Sequence, residues 1–245
     1  MSFAKEILTD RATRLVPRNQ LSQDNLEKMY RLLYDHFDGV TFEHFRSDIA
    51  EKNWIILIER SDRIVGFSTL LAYETRVDGQ PYSVVYSGDT IVSPEAWNSS
   101  TLSRAWIESV ARLRTLYPRG PYIWLLITSG FRTYRFLPVF WGDFFPRFDR
   151  NTPTHWQQLT DCLANERFGQ RYDPTAGVVR FENPQRLQGS LAEIPVGRRT
   201  DPHVAFFASR NPGHLRGDEL VCITELSPRN LTPAGRRVTA AIPEW

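Results

Sequence analysis

Asp89 stands in the stretch YSGDTIVSP, a carboxylate inside an otherwise apolar run whose pattern predicts a strand. A carboxylate in such a place either finds an arginine or has its pKa raised by burial. In the second case it becomes a proton acceptor that works near neutral pH. Ser87 and Gly88 beside it suit a bulge and a close approach of ligand to backbone. His214, in the turn-rich link NPGHLRGDE, is another candidate base, with Asp218 and Glu219 next to it to orient it or to bind a cationic amine. Between these, Asn98, Ser99, Ser100 and Thr101 precede a helical pattern. Free amides at a helix start, with added hydroxyls, suit a phosphate group, and the same residues also make good N-caps. The sequence leaves both readings open. His203, His214 and Asp218 follow no recognised ligand spacing, so no metal site is expected. No G-x-S-x-G elbow or Ser-His-Asp motif supports a hydrolase.

A second kind of signal is apolar. The segment FRTYRFLPVFWGDFFPRFD, from Phe131 to Asp149, is the most aromatic in a chain that carries seven tryptophans and 13% aromatic residues. Such a cluster packs as core, or it lines a tunnel for an alkyl chain, where each buried methylene is worth about 0.8 kcal/mol. The net charge of +2 and the lack of basic runs argue against a nucleic-acid partner. Cys162 and Cys222 form no CxxC pattern and read as thiols in a reducing compartment. The start is polar and mixed, and no apolar run reaches the roughly eighteen residues of a membrane span. A cytoplasmic protein without a membrane span is the expectation.

The elements that must position these residues follow from periodicity. Apolar residues at helical spacing predict a helix over 22–37 with Ser22 as cap, and another over 41–52 starting at Thr41. Residues 53–60, 63–77 and 82–92 read as antiparallel strands, the last two joined by the strong hairpin signal Asp78-Gly79. A helix then runs to about Tyr117. The apolar strand 122–128 follows it, parallel to its predecessor because a helix joins them. A helix over 131–141 is strained near Pro138, and another spans 155–167. At the C-terminal end, HVAFFASR (203–210) and ELVCITEL (219–226) read as a hairpin.

That order of elements resembles the GNAT superfamily of N-acyltransferases. The likeness covers roughly 25–141, with the last hairpin supplying two more strands. DRIVGF (62–67) looks like the family's third strand. TIVSPEAW (90–97) looks like its fourth, running into the donor-binding turn, and SGFRTYRFL (129–137) resembles the segment ending in a helix-borne tyrosine. The fold implied is α/β, a GNAT-like mixed and mostly antiparallel central sheet flanked by helices. It makes one acyltransferase domain over 1–245, with 142–202 as an insertion before the C-terminal hairpin that serves as lid or acyl pocket.

The activity implied is transfer of an acyl group from an acyl-CoA, or from an acyl-phosphopantetheine on an acyl carrier protein, to an amine acceptor. No prosthetic group is needed. The resemblance makes Asp89 the general base, with His214 as the alternative, and gives Tyr134 the task of protonating the leaving thiolate. Val92, Asn98, Ser99, Ser100, Thr101 and Arg132 would contact the donor. The family's turn runs Arg/Gln-x-x-Gly-x-Gly/Ala, whereas this chain has Trp97, Ser100 and Leu102 at those positions. Leu102 would crowd a pyrophosphate. Together with the aromatic segment, this departure points to a medium or long acyl chain and to lipidation of a peptide side-chain amine or a small amine. The rival expectations are a catalytically inactive acyl-ligand binding protein and an enzyme of this fold with other thioester chemistry.

Overall fold

The computed structural model describes residues 11–61, 63–96, 101–240 and 242. Strand β1 (Arg11–Pro17) opens them, and Ser22 then caps α1 (Gln23–Tyr34) by accepting from Asn25 N at 3.1 Å. After the short β2 (Phe37–Asp38), Thr41 caps α2 (Phe42–Ala50) through His44 N at 3.2 Å. Both caps satisfy amides that a helix start leaves without partners. β3 (Trp54–Arg60), β4 (Arg63–Val77) and β5 (Gln80–Val92) form the antiparallel meander that the alternation predicts. The β4–β5 turn holds Asp78 and Gly79 at φ 50° and 79°, the left-handed pair a tight hairpin requires.

Helix α3 (Thr101–Leu116) crosses over to β6 (Tyr122–Thr128), which lies parallel to β5. The aromatic segment breaks into α4 (Phe131–Tyr134) and α5 (Phe136–Phe140). Next come β7 (Phe144–Phe145), α6 (Thr154–Phe168), β8 (Tyr172–Asp173), β9 (Val178–Val179) and β10 (Arg186–Leu187). Helix α7 (Pro202–Arg210), β11 (Glu219–Glu225) and α8 (Pro233–Thr239) complete the order.

The main sheet runs β1-β3-β4-β5-β6-β11-β9-β8, with β7 also on β11. Every adjacent pair is antiparallel except β5–β6. Alternate residues of the strands feed opposite faces. Ile55, Leu57 and Phe67 pack with α1 and α2, while Tyr86, Val221 and Ile223 pack with α6 on the same side. Ile56, Val85 and Trp124 join α3, α4, α5 and α7 on the other. The result is the GNAT-like mixed sheet flanked by helices.

Two sequence expectations are corrected. Residues 203–210 are the helix α7 and not a strand, so the C-terminal end has no hairpin. Val204 and Phe207 are wholly buried one helical turn apart, and Asp201 accepts from His203 N at 3.0 Å, with Pro202 at the first helical position. The Asp-Pro start outweighs a short apolar run that fits either period. In place of the missing partner strand, β7 and β9 lie along the outer side of β11. The other correction is β1, which the Arg-rich 11–17 stretch conceals; it is held to β3 along its whole length and by Arg14 on Glu59 at 2.8 Å. Asp201 also pairs with Arg135 at 3.1 Å. Asp201→Ala is expected to cost about 1 kcal/mol of stability, the usual worth of a lost N-cap, measured as a lower urea midpoint with unchanged slope.

Candidate active site

The β5–β6 ladder pairs Ser83 with Tyr122 through Ser87 with Leu126 and then stops, although β5 continues to Val92 and β6 to Thr128. On its other side, β5 meets β4 with Leu70 opposite Ser87 and Ser68 opposite Thr90. Gly88 and Asp89 therefore share the single place facing Thr69, which is a bulge in β5. The bulge bends β5 away from β6 where the ladder ends. The strands part there.

A cavity of about 790 Å³ occupies the gap. On the α3 side its walls are Trp106, Trp124, Phe131, Phe136 and Phe140, with Trp106 and Trp124 ring centroids 4.2 Å apart. On the α6 side they are Tyr86, Lys52, Arg167 and Phe168. Walls from both faces of one sheet mean that the cavity passes through it. Trp124 Nε1 donates to Ser87 Oγ at 2.8 Å and so fixes the last rung of the ladder. Residues 185–195 cross the opening: β10 pairs with β2, Gln188 N donates to His36 O at 2.9 Å, and Gln185, Leu187 and Leu191 face the cavity.

Asp89 lines this cavity, half-buried, at the point of parting. Burial pushes its carboxyl up to about 6, against the pull of Lys52. Glu219, at the start of β11, lines the same cavity, and burial with Asp89 and Asp48 nearby pushes it up to about 8. Lys52 is only 7% exposed; its Nζ donates to Asp48 O at 3.1 Å and lies 5.4 Å from the Tyr86 ring centre. Burial lowers its pKa, while Asp89 works in the opposite direction. Gly88 makes room for it, since a Cβ there would fall 2.7 Å from Lys52 Cε.

The other sequence candidates divide. Val92 and Arg132 line the cavity, the latter with Nη1 donating to Leu191 O at 2.9 Å. Thr101 is the first residue of α3, and Asn98, Ser99 and Ser100 lie outside the described residues. Tyr134 and His214 are elsewhere. The Tyr134 side chain is 0% exposed, packs against Phe207, and donates its hydroxyl to Pro146 O at 3.0 Å. His214 Nδ1 meets Asn211 O at 2.9 Å, and its ring lies against Phe207, away from the cavity. Neither reaches Asp89, because α7 takes the position expected of a strand. Tyr134→Phe is thus expected to leave turnover unchanged and to cost about 1 kcal/mol of stability, the worth of one buried hydrogen bond; parallel rate and melting measurements check both.

Lys52, His44, Asp48, Trp106 and Trp124 carry no sequence motif. The one available signal for Lys52 is composition: the chain has 30 Lys and Arg, of which Lys5, Lys28 and Lys52 are the only lysines. A lone lysine just before an apolar strand is a marked position in so arginine-rich a chain.

No family model matches the sequence, and no curated protein matches it. Solved structures are similar at low identity. A conserved Enterococcus faecalis V583 protein described as a probable N-acyltransferase is 8% identical over 89% of this chain and 66% of its own, with a TM-score of 0.41. Saccharomyces cerevisiae N-myristoyltransferase with bound myristoyl-CoA is 16% identical over 50% of this chain and 32% of its own, with a TM-score of 0.40. An aminoglycoside acetyltransferase from an uncultured soil metagenomic sample is 16% identical over 49% of this chain and 79% of its own, with a TM-score of 0.36. The GNAT-like fold itself is established by the strand order and the single parallel pair that parts at its end.

Proposed function

We propose that this chain transfers an acyl group from a thioester to an amine. The observation that carries the reading is the cavity through the parted strands, with an aromatic chamber on one side and ionisable groups on the other. The acyl chain lies against Trp106, Trp124 and Phe136, where burial contributes about 0.8 kcal/mol per methylene. The thioester carbonyl rests in the gap, and the amine approaches from the side of Lys52 and Asp89. There the nitrogen attacks the carbonyl carbon, the carbon–sulfur bond breaks, and Asp89 accepts a proton from the nitrogen. Backbone groups of β5 beyond Ser87 that face the gap are outside the β5–β6 ladder, which suits stabilisation of the carbonyl oxygen.

The chamber fits a medium or long chain better than acetyl. The donor is an acyl-CoA or the acyl-phosphopantetheine of a carrier protein, with Arg132 at the cavity wall available to its phosphates. Residues 142–202 act as an insertion whose crossing segment roofs the cavity, and the acceptor is a peptide side-chain amine or a small amine. Among the described residues no helix is long and apolar enough to cross a membrane. Cys162 and Cys222 are free, in keeping with work in a reducing, cytoplasmic setting.

The test is incubation of the purified protein with acyl-CoA donors of graded length and a panel of amines, followed by mass spectrometry. An amide product with an optimum above acetyl supports the reading. Tight binding of acyl ligands with no product from any donor would make this a binding protein.

A further inference from the structure

The ionisable wall of the cavity has a charge pattern that acyl transfer alone does not explain. Asp89 on β5 and Glu219 on β11 stand on either side of the end of β6, and both face the cavity. Neither carboxylate takes a hydrogen bond or forms an ion pair with a described residue. The groups around them are His44 and Asp48 on α2, Glu51 and Lys52 after it, Tyr86 on β5, and Arg167 and Arg171 at the end of α6.

Most of these are already satisfied. Arg167 pairs with Glu51, His44 lies 3.9 Å from Asp48, and Arg171 donates to Phe168 O at 3.3 Å. What remains is two carboxylates and one ammonium, Lys52. Beside them Thr69 Oγ1 is fully buried, has no hydrogen-bond partner, and sits 2.8 Å from where a Gly88 Cβ would project. It is turned into the space that Gly88 leaves. A partly desolvated site with one negative charge in excess holds either a proton or a cation.

We propose that Asp89, Glu219 and Lys52 form a seat for the acceptor as an aliphatic ammonium ion, which makes the acceptor a basic alkylamine and excludes arylamines, alcohols and thiols. This deepens the acyl-transfer reading and rests on it for the word acceptor, but the seat itself binds without a donor. In the empty site Glu219 keeps its proton up to about pH 8. The arriving ammonium supplies the missing positive charge and releases that proton. For reaction, the ammonium gives one proton to a carboxylate, and its freed lone pair forms the nitrogen–carbon bond. As the carbon–sulfur bond breaks, the second proton passes from nitrogen to the thiolate. The products are amide, thiol and one proton released to solvent.

The experiment is a titration of the full chain, without donor, by n-butylammonium, 1-butanol and aniline at pH 7. Binding is followed by NMR shifts, and proton release by calorimetry in two buffers of different ionisation enthalpy. Saturable butylammonium binding with proton release is expected, and neither butanol nor aniline should compete. Glu219→Gln should weaken binding at least about tenfold, as loss of a charge-assisted partner does. Lys52→Met should tighten it, because a competing cation is gone; general damage to the site would weaken both variants alike. The seat is overturned if butylammonium fails to bind, if butanol binds as well, or if the two variants move together. A bound ammonium with no amide product in the donor assay would remove the acyl-transfer reading and leave the seat standing, and amide formation without ammonium binding would do the reverse.

Discussion

Asp89→Asn is expected to lower the maximal rate of amide formation by at least about 100-fold, the typical contribution of a positioned general base. Its amide keeps the size of the side chain at the bulge but cannot accept a proton. In the unaltered protein the rate should rise with pH through about 6, where Asp89 loses its proton, and the variant should lack that limb. Stability should move the other way. The folded state raises the Asp89 pKa from 3.8 to about 6, so across that window it binds more protons than the unfolded chain does. Stability therefore falls as pH rises through the window, and the cost persists at neutral pH. Asparagine removes it, so the variant should melt no earlier than the parent at pH 7. Thiol release with the best donor, measured from pH 5 to 8 (about one unit to either side of the step), together with urea melts, checks both halves. A variant that keeps the acidic limb would take Asp89 out of the role.

Trp124→Ala is expected to cost about 3–5 kcal/mol of stability, the range for deleting a buried large aromatic. Trp124 is 3% exposed and lies within 5.9 Å, centre to centre, of Trp106, Phe136 and Trp141. Its removal leaves a hole in the core and frees Ser87 Oγ from its hydrogen bond. Since the same ring lines the chamber, the donor optimum should also move to longer chains as space opens. Trp124→Phe separates the two effects, keeping most of the packing while losing the bond to Ser87. Urea unfolding and the donor series in parallel give both readouts. A loss below about 1 kcal/mol would contradict the burial described here.

Local signals were legible in the sequence wherever one residue type decides the conformation. Ser22 and Thr41 cap the helices they were expected to cap, Asp78-Gly79 makes the turn, and Gly88 accompanies the bulge. The parallel β5–β6 pair followed from the helix between them. Errors arose where tertiary context decides. HVAFFASR carries apolar residues compatible with either period, and only the Asp201-Pro202 start selects a helix. Edge strand β1 is Arg-rich and half-exposed, and gains its pairing from β3 far along the chain. Tyr134 stands on the expected helix but turns toward Phe207 and Pro146, a direction fixed by α7 and the residues after β7. Lys52 and Glu219 reach Asp89 from separate elements, which no spacing within the chain announces.

The double occupancy opposite Thr69 has a genetic consequence. Removing Gly88 alone would leave Asp89 as the one residue facing Thr69, and the meander would again count residue for residue. Such a single-codon deletion should yield a flatter, more regular sheet with β5 and β6 zipped onward toward Thr128. The chain would fold and keep its helices, yet it would have no passage from one side of the sheet to the other. Loss of activity in this lineage can therefore come by simplification as readily as by damage.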